Sequence, residues 1–454
     1  MLVGFMTLLD VTIVNVAIPS IQSGLETSEQ SVQWVVSGYA LTFGLTLVAG
    51  GRLGDLVGRR RMFLVGLAGF TVTSAVCGAA WSGPALVVAR LLQGVSAGLL
   101  TPQNTGLIQQ LFTGADRARA FGIFGTTVGV SSAAGPLIGG ALIAAFGAED
   151  GWRWVFYVNI PIGLVAMVLA VRLLPRTAPG GVRALARQLD GLGALLLGVA
   201  VLALLLPVVE AQGHPATRWW WVLPLAPLAA VLFVRRERSM LGRGLPPLLD
   251  VRLFSEAPGY AAGLLLGTVY FCGFAGIWLV LALLFQDGLG YTALESGLAV
   301  LPFAVGSSLT SLVAGRMLQR YGHAVLVTGL LMLIAGFLAL AGLLAVGVPD
   351  HLALWTAVPL FVAGLGSGAT ISPNFTLTLA SVPREMGGAA GGALQTGQRI
   401  GAAVGAAVLA TVYRVTLGSQ GLGTAGAVTF AASAGFAALA LVVAVQQRRA
   451  DPDR

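Results

Sequence analysis

The sequence predicts an all-α polytopic membrane protein with fourteen spanning helices, and three observations predict it. First, the 454 residues are 56% hydrophobic and only 10% charged, with a mean hydropathy of +0.87. Soluble domains carry about 25% charged residues, so this chain lacks the polar surface to enclose its apolar mass in water. Second, apolar runs long enough to cross a bilayer, about 20 residues each, recur between charged or Pro/Gly-rich breaks. Third, the Arg residues divide unevenly between the two sets of loops that those runs define.

In order, the expected spans lie near 1–21, 32–51, 62–80, 85–111, 119–146, 154–174, 191–211, 219–235, 257–285, 296–317, 324–347, 353–380, 389–413 and 424–446. Pro207, Pro224 and Pro227 interrupt the seventh and eighth. All 26 basic residues are Arg. Twenty-one fall on one loop set and the tail, three (Arg153, Arg218, Arg414) on the other, and two (Arg90, Arg399) within spans. The positive-inside rule puts the first set, and with it both termini, in the cytoplasm. Trp34, Trp81, Trp152, Trp154, Trp219, Trp220, Trp221 and Trp355 then lie at outer ends, as an aromatic belt. The net charge of +8 is thus a topology signal, not a nucleic-acid footprint.

The absence of Lys excludes a Walker A phosphate loop and Schiff-base chemistry. Cys77 and Cys272 sit in apolar segments, and the three His are scattered, so no disulfide, metal site or cofactor is expected. A membrane-embedded enzyme would need a His/Asp/Glu/Cys cluster, and the sequence offers none.

The chain repeats itself. Gly51-Arg-Leu-Gly-Asp-Leu-Val-Gly58-Arg59 between spans two and three recurs as Gly315-Arg-Met-Leu-Gln-Arg-Tyr-Gly322-His323 between spans ten and eleven. Gly94 and Gly98 in span four recur as Gly364 and Gly368 in span twelve. Two six-helix halves follow (residues 1–174 and 257–446), with linkers and an inserted helix pair at 175–256 and a tail at 447–454. Repeated halves around a central cleft are the architecture of secondary transporters.

Asp10 is the one carboxylate near mid-membrane. A charge there costs about 2.5–3.5 kcal/mol, so such residues usually face a cavity and mark an ion or proton path. A hydrogen bond to a neighbouring helix, with Thr12 and Asn15 as local partners, is the structural alternative. Asp10 lies about 13 Å along a helix from Met1, which suggests a truncated start. Arg90, about five residues into span four, must find an anion, carbonyls or water. Asp10 is the candidate counter-charge, snorkelling at the interface the alternative, and Gln93 one turn away lines the same face. In the Gly51–Arg61 loop, Asp55 pairs with an Arg or caps a helix N-terminus, while Gly51 and Gly58 allow close crossing. Gln319 replaces the acid in the second copy, so any charge lock is one-sided. Gly125, Gly129, Gly135, Pro136, Gly139 and Gly140 crowd span five and point to a bend or seal. Asn15, Tyr39, Gln93, Gln395 and Arg399 are candidates to line a substrate cavity.

Several stretches resemble the fourteen-helix drug:proton antiporter branch of the major facilitator superfamily. They are Leu9–Pro19, Gly51–Arg61, Arg90–Gly94, Gly135–Gly140, Trp152–Gly163 and Pro247–Phe254. The resemblance implies a major-facilitator fold and export of lipophilic drugs or antibiotics, driven by inward proton flow through alternating access. It implies proton coupling at Asp10, modulation by Arg90, a conformational latch at Gly51, Asp55, Gly58 and Arg59, and an antiporter signature at Gly135–Gly140. No acid lies inside spans ten, twelve and thirteen, which favours neutral or zwitterionic substrates over multivalent cations. An exporter of an endogenous metabolite (amino acid, lipid precursor or siderophore) is the alternative. The expected setting is a bacterial plasma membrane, and the expected partners are substrate, protons and lipids, with the chain a monomer.

Overall fold

The computed structural model describes residues 1–147, 149–175, 190–213 and 218–450. The expected linker arginines Arg176, Arg183 and Arg187, and Arg454 in the tail, lie outside the described residues. The described chain is helical throughout, with no β-strand among the described residues. The helices are α1 (Leu2–Gly24), α2 (Glu29–Val57), α3 (Arg59–Gly78), α4 (Gly83–Leu111), α5 (Gly114–Phe146), α6 (Gly151–Tyr157), α7 (Asn159–Leu173), α8 (Gly191–Gly213) and α9 (Leu225–Gly242). After a one-turn helix at Leu253–Glu256 come α10 (Tyr260–Ala282), α11 (Ala293–Ala299), α12 (Leu301–Tyr321), α13 (Ala324–Val346), α14 (Leu352–Thr378), α15 (Gly387–Gln420) and α16 (Leu422–Ala450).

Twelve helical stretches among the described residues are long and apolar enough to cross a membrane, against fourteen expected. The difference falls on α9 and α10. In α9, Arg235, Arg236, Glu237 and Arg238 follow only ten residues after its start; α10 runs 23 residues without a charged side chain, its apolar stretch among the described residues covering Tyr260–Phe274. Prolines inside α1, α4, α5, α8 and α14 do not end those helices; in membrane helices such breakers are tolerated where neighbouring helices, side chains and local adjustments re-satisfy the freed groups. Pro207, expected to interrupt the seventh span, sits within continuous α8.

Many outward side chains are as apolar as the inward ones. Val65, Val72 and Val76 of α3 and Leu164, Val165 and Val168 of α7 are exposed, while Phe63, Leu67 and Phe70 are buried. Such an apolar exterior suits lipid, where every backbone group is satisfied within its own helix. Lipid tails are as apolar as leucine, so helix association rests on close packing and small residues. Both glycine pairs of the repeat do this. A Cβ on Gly94 or Gly98 would meet Thr42 or Thr46 of α2 at 2.1 or 1.8 Å. A Cβ on Gly364 or Gly368 would meet the carbonyl oxygens of Phe303 or Ser307 of α12 at 2.1 or 2.2 Å. Trp152, expected in the belt, is instead fully buried; it stands edge-on to Phe156 and packs against the end of α1, its Nε1 2.7 Å from where a Cβ on Gly24 would stand.

The described residues form two compact units. One comprises Met1–Leu111, Ile138–Pro258 and Ser381–Thr396; the other comprises Phe112–Leu137, Gly259–Ala380 and Gly397–Arg454. The first has a core of Val3, Met6, Tyr39, Phe43, Leu67, Phe70 and Leu100, drawn from α1 to α4. The second has one around Val280, Leu409, Tyr413 and Ala425. Within the first unit, α8 and α9 are tied by polar contacts at one end. Arg236 donates to both oxygens of Asp190 at 3.0–3.2 Å, and Glu237 accepts from the Leu249 amide at 3.2 Å.

Candidate functional site

Asp10 of α1 is completely buried, as are Gln93, Asn159 and Ser74, and Arg90 is 1% exposed. A buried charge persists only when paired and hydrogen-bonded, and each of these groups is. Arg90 Nη1 donates to Asp10 Oδ2 at 2.7 Å. Gln93 Nε2 and Asn159 Nδ2 donate to Oδ1 at 3.1 and 2.9 Å. The carboxylate therefore accepts three bonds from two other helices, α4 and α7.

The guanidinium is equally enclosed. Its Nε donates to the Val35 carbonyl at 3.0 Å and Nη1 to Gln93 Oε1 at 2.8 Å. Its plane lies over the Tyr39 ring, 4.0 Å from the centroid, a cation–π contact strengthened by desolvation. Asn159 Nδ2 also donates to Ser74 Oγ at 3.1 Å, and Ser74 passes a bond to the Phe156 carbonyl at 2.9 Å. Cys77 Sγ lies 3.4 Å from Gln93 Oε1. Asn159 Oδ1 is buried with no partner. The α6–α7 break at Val158 puts Asn159 at the start of α7, turned inward.

The structure thus brings together Asp10 and Arg90, expected from sequence as a charge pair, with Gln93 and Tyr39, expected instead to line a substrate cavity. Thr12 stays local, bonding its own helix at Leu8 and Leu9. Asn15 is exposed and outside the network: five residues on from Asp10 turns it about 140° around a helix. Gln395 belongs to the same unit but bonds Thr105 at 2.9 Å, twelve residues and about 18 Å along α4 from Gln93. Arg399, half-buried, falls in the second unit. Asn159 and Ser74 were missed. The signal for Asn159 was present, an uncharged polar residue heading an apolar run inside the Trp152–Gly163 stretch; Ser74 had none, since a lone Ser in a membrane helix bonds its own backbone readily.

Asp55 does both things the sequence left open. Arg59 donates to Oδ1 through Nε at 3.1 Å and Nη2 at 2.8 Å. The amides of Gly388 and Ala389 donate to Oδ1 and Oδ2 at 3.1 and 3.0 Å. The carboxylate therefore sits on the positive end of α15, where first-turn amides lack partners. Arg59 continues to the carbonyls of Gly106 and Arg384. Gly51 permits this approach, because a Cβ there would stand 2.1 Å from the Gly388 oxygen. Gly58, at φ +104°, turns the chain from α2 into α3 in a conformation other residues rarely adopt.

The glycine-rich stretch of α5 serves packing on two sides. Gly139 lies against Ile13, at 3.1 Å for an added Cβ, and Pro136 lies 3.1 Å from the position of a Gly297 Cβ. Gly125 and Gly129 abut Ser311 and Ser307 of α12. Gly135 is buried and Gly140 half-buried.

Comparison with known proteins agrees with this architecture. The family model described as Major Facilitator Superfamily matches residues 1–406. The protein named "Probable actinorhodin transporter" of Streptomyces coelicolor is 38% identical over 422 residues, 91% of this chain and 71% of its own. The "Tetracenomycin C resistance and export protein" of Streptomyces glaucescens is 34% identical over 401 residues, 87% of this chain and 71% of its own. Among solved structures, a human organic anion transporter superposes with a TM-score of 0.67 at 17% identity, covering 98% of each chain, a likeness of fold. With helical spans, an internal repeat and a family match over most of its length, the chain belongs to the Major Facilitator Superfamily of membrane transporters.

Proposed function

We propose that this chain exports lipophilic drugs or antibiotics of low net charge in exchange for protons, with Asp10 as the proton carrier and Arg90 as its partner. The buried Asp10–Arg90 pair carries this reading. Arginine stays charged at any accessible pH, so a proton arriving at Asp10 leaves a buried cation without its counter-charge. Removing one member of a buried pair costs about 3–5 kcal/mol. Protonation of Asp10 and opening of the Arg90 contact are thereby coupled, and a proton is exchanged for a change in helix packing. The names of the relatives, an actinorhodin transporter and a tetracenomycin C export protein, support antibiotic-like cargo. Alternating exposure of a central cavity, the halves at 1–174 and 257–446, fourteen spans and cytoplasmic termini complete the proposal.

The test uses inverted vesicles carrying the protein, loaded with a pH-sensitive dye and challenged with a panel of lipophilic compounds. Native chain should show substrate-evoked proton release from the vesicle interior, and Asp10→Asn, verified as folded and inserted, should not. Equal responses overturn Asp10 as the obligatory carrier. Silence of the native chain across the panel overturns drug antiport and points to an endogenous metabolite as cargo.

A further inference from the structure

The second copy of the Gly-Arg loop kept the two outer glycines (Gly315 and Gly322) and Arg316 but lost the acid, with Gln319 at the position of Asp55. In the first copy Arg52 lies in the field of two carboxylates, Asp55 and Glu237. Arg316 has no acid within its own loop. It borders a cavity of about 420 Å³, whose wall also includes Asp116, Arg119, Ile123, Leu312 and Gln319. The two helices meet closely here: a Cβ on Gly315 would stand 2.9 Å from the Ala118 backbone. That approach sets Arg119 of α5 and Arg316 of α12 on one cavity wall.

Among the described residues the side chains of Arg119, Arg316 and Asp116 form no ion pair or hydrogen bond. Directly beside them Ile123, Leu312 and Val313 are 41%, 53% and 42% exposed. Two unpaired guanidiniums next to an open apolar wall match an amphiphile with an anionic head. The three charges sum to +1, which complements a single phosphodiester. Asp116 accepts hydroxyl hydrogens, so a head bearing hydroxyls fits better than a bare phosphate.

We infer that this cavity is a binding site for an anionic phospholipid of the phosphatidylglycerol type, its phosphodiester on Arg119 and Arg316 and its acyl chain along Ile123, Leu312 and Val313. Its location at the inner leaflet rests on the charge-based topology proposed above. Basic pockets between spanning helices at that surface are general lipid-headgroup sites. Where the first copy of the loop holds a carboxylate of its own chain, the second recruits its anion from the membrane.

The experiment measures lipid retention by native mass spectrometry of the purified full chain in detergent, titrated with phosphatidylglycerol, phosphatidylcholine or free glycerol phosphate. The native chain should retain one phosphatidylglycerol more tightly than phosphatidylcholine. Arg119→Gln/Arg316→Gln should weaken that binding about 25-fold, from two arginines at about fivefold each. Both positions are exposed, so unchanged elution and melting will confirm that the variant is folded. Equal retention by the double variant, or no preference over phosphatidylcholine, overturns the site. Displacement of the lipid by free glycerol phosphate at similar concentration makes the ligand a soluble phosphate and overturns the lipid assignment. The assay involves no transport, so its failure and that of the proton-antiport reading are separable.

Discussion

Neutralising Asp10 while leaving Arg90 in place should destabilise the protein by about 3–5 kcal/mol, the cost of stranding one member of a buried ion pair. The geometry explains why the isosteric Asn cannot rescue it. With its amide nitrogen in the place of Oδ2, the new group faces the Arg90 Nη1 donor, now 2.7 Å away. Rotated the other way, it faces the Gln93 and Asn159 amide donors, now at 3.1 and 2.9 Å. Either rotamer sets donor against donor in a site closed to water. Arg90 keeps the Val35 carbonyl, Gln93 Oε1 and the Tyr39 face, so it stays in place as an uncompensated cation. Arg90→Gln strands Asp10 in turn, though two amide donors still reach Oδ1. The double variant Asp10→Asn/Arg90→Gln removes both charges, and its loss should be well below the sum of the single losses. A coupling free energy of about 2–3 kcal/mol is expected, within the range for directly contacting residues. Equilibrium unfolding of the four proteins in one detergent gives the cycle. Additivity to within about 0.5 kcal/mol would refute the pair as an energetic unit, and with it the argument that protonating Asp10 drives repacking.

Asp55→Ala should remove the cap of α15 and strand Arg59; the cap alone is worth about 1–2 kcal/mol, and hydrogen exchange at the Gly388 and Ala389 amides should accelerate. Gly51→Ala places a methyl 2.1 Å from the Gly388 oxygen and should cost about 1–3 kcal/mol. Gly198→Ala, which meets nothing within 4 Å, should be neutral or stabilising by up to about 1 kcal/mol; similar losses in both would sink the packing argument. Burial, with the Asp190 carboxylate nearby, pushes Glu237 up to about 7 from its ordinary 4.5, and its Oε1 has no partner. The folded state then holds this proton more tightly than the unfolded one, so stability falls as pH rises from 4.5 through 7. Glu237→Gln should flatten the fall in melting temperature over that window, and an unaltered pH profile would contradict it.

Membrane insertion is a property of each segment taken alone, and so the amino-acid sequence by itself determined the class, the order of the spans, the repeat and the candidate charges. Hydropathy places Asp10 and Arg90 in apolar runs without reference to any other helix, and the spacing of Gly94/Gly98 against Gly364/Gly368 is visible as text. Partnership is a different quantity. Asp10 meets Arg90 and Asn159 across separations of 80 and 149 residues, and Asp55 meets the α15 amides across 333 and 334. Those meetings depend on how far two helices approach and how each is rotated, which small residues such as Gly51 and Gly98 decide and mean hydropathy does not record. The same geometry put Arg90 in the interior and not at the lipid surface, buried Trp152, recruited Asn159 and Ser74, and turned Asn15 away. In a membrane, where apolar surface is content on either side of a helix, only the tertiary packing could say which face is which.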